Sequence, residues 1–232
     1  MRKRLLSILL ITAIGILPAN SVKADETVTV TNDELAEYSD LDKASRIVSG
    51  SSISDKWYYN TGKSLPRRPD YTRYNLLNSV EMGDIIYEKN GFGGLTGHIA
   101  IVEGIQYDSS KNMKYVRVVE AIENGVCRSV LDDDRVDWQD AYVYRVKGSS
   151  FDQQMAAVNF CIGQIGKKYK LDLTNRGIDE NQKSWYCSRL VWAAYKNQGI
   201  DIETTGSINE PGITPRDIMR SSKVQNIRFT FK

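Results

Sequence analysis

Between Gly83 and Val146 the chain carries four short segments rich in β-branched and aromatic residues, each bounded by Gly, Asn, Asp or Ser. They are GDIIYE (83–88), HIAIVEGIQY (98–107), YVRVVEAI (115–122) and AYVYRV (141–146). The spacing predicts a meander of strands, most simply antiparallel. After Lys147 the texture changes. Ser149 or Ser150 can cap a helix through Phe151, Met155, Val158, Phe160 and Ile162 that closes at GKKY (166–169). A loop rich in Asp and Asn leads to SWYCSRLVWAAY (184–195), where Leu190, Val191, Ala194 and Tyr195 recur at helical spacing up to a stop at Gly199. Thr214-Pro215 opens a short helix to about Met219, and 224–231 reads as a closing strand. The expected fold class is α+β, an antiparallel sheet backed by two or three helices, one of them beginning at a cysteine.

Upstream of the sheet, Arg2, Lys3 and Arg4 precede an apolar stretch from Leu5 to Leu17, then Pro18 and a small-residue site at Val22-Lys23-Ala24. This is the pattern of a secretory signal peptide, residues 1–24. The stretch is shorter than the roughly 18–20 residues that span a bilayer, and no cysteine follows it to take a lipid. The expectation is therefore a secreted bacterial protein with no stable membrane anchor after cleavage. Four of the 31 Lys and Arg lie in that leader and none of the 29 Asp and Glu, so the remainder carries 27 against 29, a net −2. The basic pI thus gives no reason to expect a nucleic-acid partner. Residues 25–54 form a polar, weakly ordered lead-in with one short helix over 33–46, and 55–232 one domain. Lys56 to Leu77 is expected to be a lid or wall, with Trp57, Tyr58 and Tyr59 packed over the sheet. Oligomeric state is not legible.

Three cysteines, Cys127, Cys161 and Cys187, permit one disulfide and one spare thiol in an exported chain, or three free thiols. Cys161 sits in an amphipathic run and reads as a buried filler. Cys187 differs, because it stands at a helix start, where unpaired N–H groups and the helix dipole favour the thiolate. A thiol nucleophile needs a general base and usually a group that orients the base. The chain has a single histidine, His98, after the glycine-rich GFGGLTG, so any imidazole serving Cys187 is this one. Val116, Val118 and Glu120 share one strand face, which leaves Glu120 as a carboxylate on an apolar surface that needs a partner. Across neighbouring strands Glu120 can orient His98, as the acidic member of a triad does. A salt bridge at a sheet edge is the competing account of Glu120.

The succession GDIIYE, GHIAIVEG, VVEAIENGV, GKKY, YCSRLVWAAY and ITPRDI resembles the NlpC-type cell-wall peptidase superfamily with its halves in swapped order. Here the Gly-Asp and Gly-His strands precede the Cys-Ser helix, as in the circularly permuted papain-like hydrolases of the YiiX and YebB type. The resemblance spans roughly Val80 to Ser221. It implies a permuted papain-like fold with Cys187 as nucleophile, His98 as base and Glu120 as orienting carboxylate. By the same resemblance Tyr169 lines the oxyanion site, where the backbone N–H of Cys187 is the main donor. Tyr186 is a cleft neighbour. Arg189 departs from the acidic residue or glycine more usual two places after the nucleophile, which bears on substrate preference.

No metal-ligand spacing occurs, and GFGGLTG lacks the Lys and the strand-to-helix context of a phosphate loop, so no metal and no cofactor are expected. The reading is an amide-cleaving cysteine hydrolase acting on a peptide, a peptidoglycan fragment or an N-acyl amide. Two alternatives stand beside it: a lipid-directed acyltransferase or thioesterase, since the permuted fold resembles the lecithin:retinol acyltransferase group, and a non-enzymatic exported binding protein.

Overall fold

The computed structural model describes residues 65–91, 97–204 and 212–232. The signal peptide, the lead-in, the helix expected over 33–46 and Trp57, Tyr58 and Tyr59 lie outside the described residues. A six-stranded antiparallel sheet runs in the order β4-β3-β2-β1-β5-β8. Its strands are β1 (Ile85–Glu88), β2 (His98–Asp108), β3 (Met113–Ile122), β4 (Gly125–Leu131), β5 (Ala141–Val146) and β8 (Val224–Ile227). Two further strands, β6 (Lys168–Tyr169) and β7 (Ser184–Trp185), form a short parallel pair. The helices are α1 (Leu76–Ser79), α2 (Asp133–Gln139), α3 (Phe151–Gly163), α4 (Cys187–Lys196) and α5 (Pro215–Arg220).

Each face of the sheet has its own core, which follows from alternation along the strands. Ile85, Ile99, Ile101, Val119 and Ala121 point to α3 and α4, where they meet Val158, Leu190, Val191 and Ala194. Ile86, Ala100, Val102, Val116 and Val118 point the other way, to Leu65, Tyr71, Leu76 and Val136 of α2. The sheet is therefore covered on both faces, by α3 and α4 on one and by α2 and the segment around Leu65, Tyr71 and Leu76 on the other. The described part of the tyrosine- and arginine-rich segment is a wall over this second face. Tyr71 Oη donates to Leu131 O at 2.8 Å and accepts from Val116 N at 2.8 Å, and Leu65 N donates to Asp108 Oδ2 at 2.7 Å.

Two elements depart from the sequence reading. β4, which carries Cys127, lies outside the four strand segments read from the sequence, and α2 occupies a run of aspartates that shows no apolar period. Elsewhere the helix signals act as expected. Ser150 caps α3 in a reciprocal box with Gln153, and Thr214 caps α5 in one with Asp217. α3 ends at Gly163, so Lys168 and Tyr169 are free to form β6. The closing strand ends at Ile227, beyond which Phe231 makes one bridge to Tyr74.

α4 is the centre of the helix layer, with every residue from Cys187 to Tyr195 buried. Each large apolar side chain so buried contributes about 1.5–3 kcal/mol. Tyr195 Oη donates to Gly83 O at 2.5 Å. The adjoining Asp84 accepts from Arg145 Nε and a terminal guanidinium nitrogen, both at 2.8 Å. The Gly-Asp motif is thus structural: it locks β1 to β5 and to the far end of the cysteine helix.

Candidate active site

Cross-strand register brings the polar residues to one end of the sheet. Glu88, the last residue of β1, pairs with His98, the first of β2, and Ala100 pairs with Glu120 near the end of β3. Glu88 and Glu120 alternate onto the α2 side, while Cys187 begins α4 on the other. His98, at the strand start, joins the two layers. Gly91 makes room for it, and Gly97 lets the chain pass close to β1 just before it. A Cβ on Gly91 would fall 2.4 Å from the His98 Cβ. Gly97 has φ +76°, and a Cβ there would meet the Tyr87 ring at 2.8 Å.

The thiol, the ring and the carboxylate are in contact. His98 Nε2 lies 2.6 Å from Glu120 Oε2, and the His98 ring also hydrogen-bonds the Cys187 side chain. With Nε2 engaged by the carboxylate, Nδ1 is the ring atom left for the sulfur. Exposure is 4% at Cys187, 4% at His98 and 3% at Glu120. Burial alone would discourage an imidazolium, but the charge and hydrogen bonds of Cys187 and Glu120 outweigh it and push the His98 pKa up to about 10. Burial likewise opposes charge on Glu120, but Arg135 and His98 overcome it and hold the carboxyl well below its usual range.

Glu120 has more partners than the sequence reading gave it. Ser129 Oγ donates to Oε1. Arg135 donates to both carboxylate oxygens, at 3.1 Å to Oε1 and 2.8 Å to Oε2. Arg135 Nε donates to Glu88 Oε1 at 2.5 Å, and another of its nitrogens donates to Val130 O at 3.2 Å. Arg135, Ser129 and Glu88 are each no more than 2% exposed. The one sequence signal for Arg135 is its place three residues after Asp132, whose side chain caps α2 by accepting from Arg135 N.

The remaining expected site residues are arranged as follows. Tyr169 is half-buried in β6 and lies beside Trp185, two residues ahead of the thiol. Tyr186, expected as a cleft neighbour, is 1% exposed, and its hydroxyl accepts from Ile213 N at 3.1 Å. Burial pushes its phenol up to about 12. Ser188 Oγ donates to Ile213 O at 2.7 Å, so the residues on both sides of Cys187 are tied to the ITPRDI segment. Arg189 is turned inward, not to a cleft. Its guanidinium lies 4.5 Å from the Trp185 ring centre and donates to Asn175 O and Ser184 O. It holds down the loop that leads into α4.

Tyr186, as N-cap of α4, makes no side-chain capping bond, which leaves the first-turn amides at the sulfur open to an anionic oxygen. Cys127 and Cys161 are buried free thiols. Burial pushes both above the ordinary thiol range, at Cys127 with help from the negative charge of Glu120. Among the described residues no group of three or more His, Cys, Asp or Glu is arranged to hold a metal ion, and no helix is long and apolar enough to cross a membrane.

A family model described as permuted papain-like amidase enzyme, YaeF/YiiX, C92 family, matches residues 79–226. No curated protein matches the chain. A crystal structure described as the metalloprotein YiiX of Escherichia coli O157:H7 is similar at 16% identity and a TM-score of 0.44, over 66% of this chain and 99% of that one.

Proposed function

The chain belongs to the permuted papain-like amidases of the YaeF/YiiX (C92) family, cysteine amidases and peptidases, and on that premise we propose an exported thiol hydrolase that cleaves amide bonds in cell-wall peptides or related N-acyl amides. The observation that carries the reading is the contact from the Cys187 thiol through His98 to Glu120.

The Cys187 thiolate attacks the acyl carbon, and the carbonyl oxygen takes up negative charge against the first-turn amides of α4, with Tyr169 lining that side. The His98 imidazolium gives its proton to the departing amine as the C–N bond breaks, leaving a thioester on Cys187. Water then adds to the thioester. His98 takes the water's proton, the C–S bond breaks to release the carboxylic acid, and the thiolate–imidazolium pair is restored. Glu120 keeps the ring in one orientation throughout. An apolar leader followed by a small-residue site supports export, and export would place the enzyme among cell-wall peptides.

Substrate class is read by incubating the protein with muropeptides, N-acyl amino acids and short acyl esters and identifying products by mass spectrometry. The expected outcome is release of amines from amide substrates. Turnover of acyl esters with every amide left intact would overturn the amidase assignment in favour of a lipid-directed enzyme.

A further inference from the structure

The carboxylate that orients His98 is one link in a longer buried chain of alternating charge. From the thiol inward it runs Cys187, His98, Glu120, Arg135 and Glu88, supplied by α4, β2, β3, α2 and β1 in turn. Every member is no more than 4% exposed. Arg135 is shared. It grips both oxygens of Glu120 at 3.1 and 2.8 Å and gives its Nε to Glu88 at 2.5 Å. A guanidinium suits this position, because its planar fork can serve two carboxylates without leaving either without a donor. Glu88 pairs with His98 across β1 and β2, so the far end of the chain returns to the strand position opposite the imidazole.

We propose that Arg135 and its counter-ion Glu88 are positioning residues that set, through Glu120, how strongly the His98 imidazolium is held. The proposal rests on the thiol-hydrolase reading above and adds a control element to it. Arg135 draws on the negative charge of Glu120 and so moderates the pull on His98, while Glu88 offsets part of the Arg135 charge and restores that pull. Removing either charge without changing shape moves the imidazole titration, and the two removals move it in opposite directions. The charged or titratable groups facing the ring and its carboxylate are Cys187 on α4, Glu120 on β3, Cys127 across from Glu120 on β4, Glu88 on β1 and Arg135 on α2. Cys127 is held as the neutral thiol by burial, so the balance rests on the other four.

The single histidine makes the test direct. The full chain, labelled with ¹⁵N-histidine and free of any histidine tag, is titrated by NMR as wild type, Glu88→Gln, Arg135→Gln and the double variant. Glu88→Gln keeps an oxygen for Arg135 Nε and removes only charge. It is expected to lower the imidazole midpoint by about one pH unit, the low end of the range for a charge near a buried group. Arg135→Gln is expected to raise the midpoint above that of the wild type, and the double variant to lie between the two single ones. If Arg135→Gln does not fold, Glu88→Gln decides alone. An unmoved midpoint in Glu88→Gln, or a shift of the same sign in both single variants, overturns the proposal. A wild-type midpoint near the ordinary histidine value would instead overturn the thiolate–imidazolium reading on which it rests.

Discussion

Replacing Cys187 by alanine is expected to abolish amide hydrolysis, and replacing His98 by alanine to lower it by about three orders of magnitude or more. The two losses have different origins. Cys187→Ala removes the only thiol of the three that touches an imidazole, and Cys127 and Cys161, held neutral by burial, offer no substitute. His98→Ala leaves the sulfur but takes away both its counter-charge and the acid that protonates the leaving amine. No other histidine exists to take over. Because the groups act as one unit, the double variant should be little worse than Cys187→Ala. Turnover measured by product release on a responsive amide checks all three. A Cys187→Ala protein as active as the wild type would remove the thiol from the mechanism.

The second large effect concerns stability. Glu120 balances the buried Arg135 and His98, so Glu120→Leu leaves two buried cationic groups with too little negative charge. Breaking one partner of a buried pair costs about 3–5 kcal/mol. Glu120→Gln keeps shape and one acceptor oxygen and is expected to cost less, while still weakening the hold on the imidazolium. Urea unfolding of both variants at neutral pH reads the difference. The same groups set a pH window. The folded-state value of Glu120 is depressed, so its contribution is present above the ordinary value of 4.5 and fades as pH falls below it. His98 is raised from 6.5 to about 10, so its contribution is complete below 6.5 and is lost as pH climbs towards 10. Unfolding free energy is expected to peak between about pH 5 and 6.5 from these two groups, and the acid limb should flatten in Glu120→Gln. A limb unchanged by that substitution would show that other carboxylates govern acid unfolding.

Much of the sheet was legible because its strands are short and uniformly rich in β-branched residues. β5 begins and ends where the sequence pattern does, and β2 differs by one residue. α4 announced itself by spacing, the start of α3 by Ser149 or Ser150 as its cap, and the start of α5 by Thr214-Pro215. β4 was not legible, because in GVCRSVL nearly every residue is buried and alternation is lost. α2 was hidden for the opposite reason. An aspartate-rich run looks like a solvated surface, and what buries Asp132, Asp133 and Arg135 is tertiary: the wall segment and strands far away in sequence. Arg135 is separated from Glu88 by 47 residues. No local pattern links a guanidinium to a carboxylate at that distance.

The site divides in the same way. Cys187, His98 and Glu120 could be named because helix position, uniqueness and an unpaired charge on an apolar face are each visible along the chain. The environment that sets their charge could not. Arg189 shows the limit most clearly, since its place two residues after the thiol suggested a role towards substrate, whereas stacking on Trp185 turns it into the anchor of the preceding loop.

The measurement that tests the central claim most directly is iodoacetamide labelling of the wild type and of His98→Ala at neutral pH, followed by peptide mass spectrometry at Cys187, Cys127 and Cys161. A sulfur paired with the His98 ring predicts fast labelling confined to Cys187 in the wild type and a marked slowing in His98→Ala, with the buried, neutral Cys127 and Cys161 left unlabelled in both. Labelling of Cys187 no faster than that of the other two thiols, or unchanged by His98→Ala, would contradict the account.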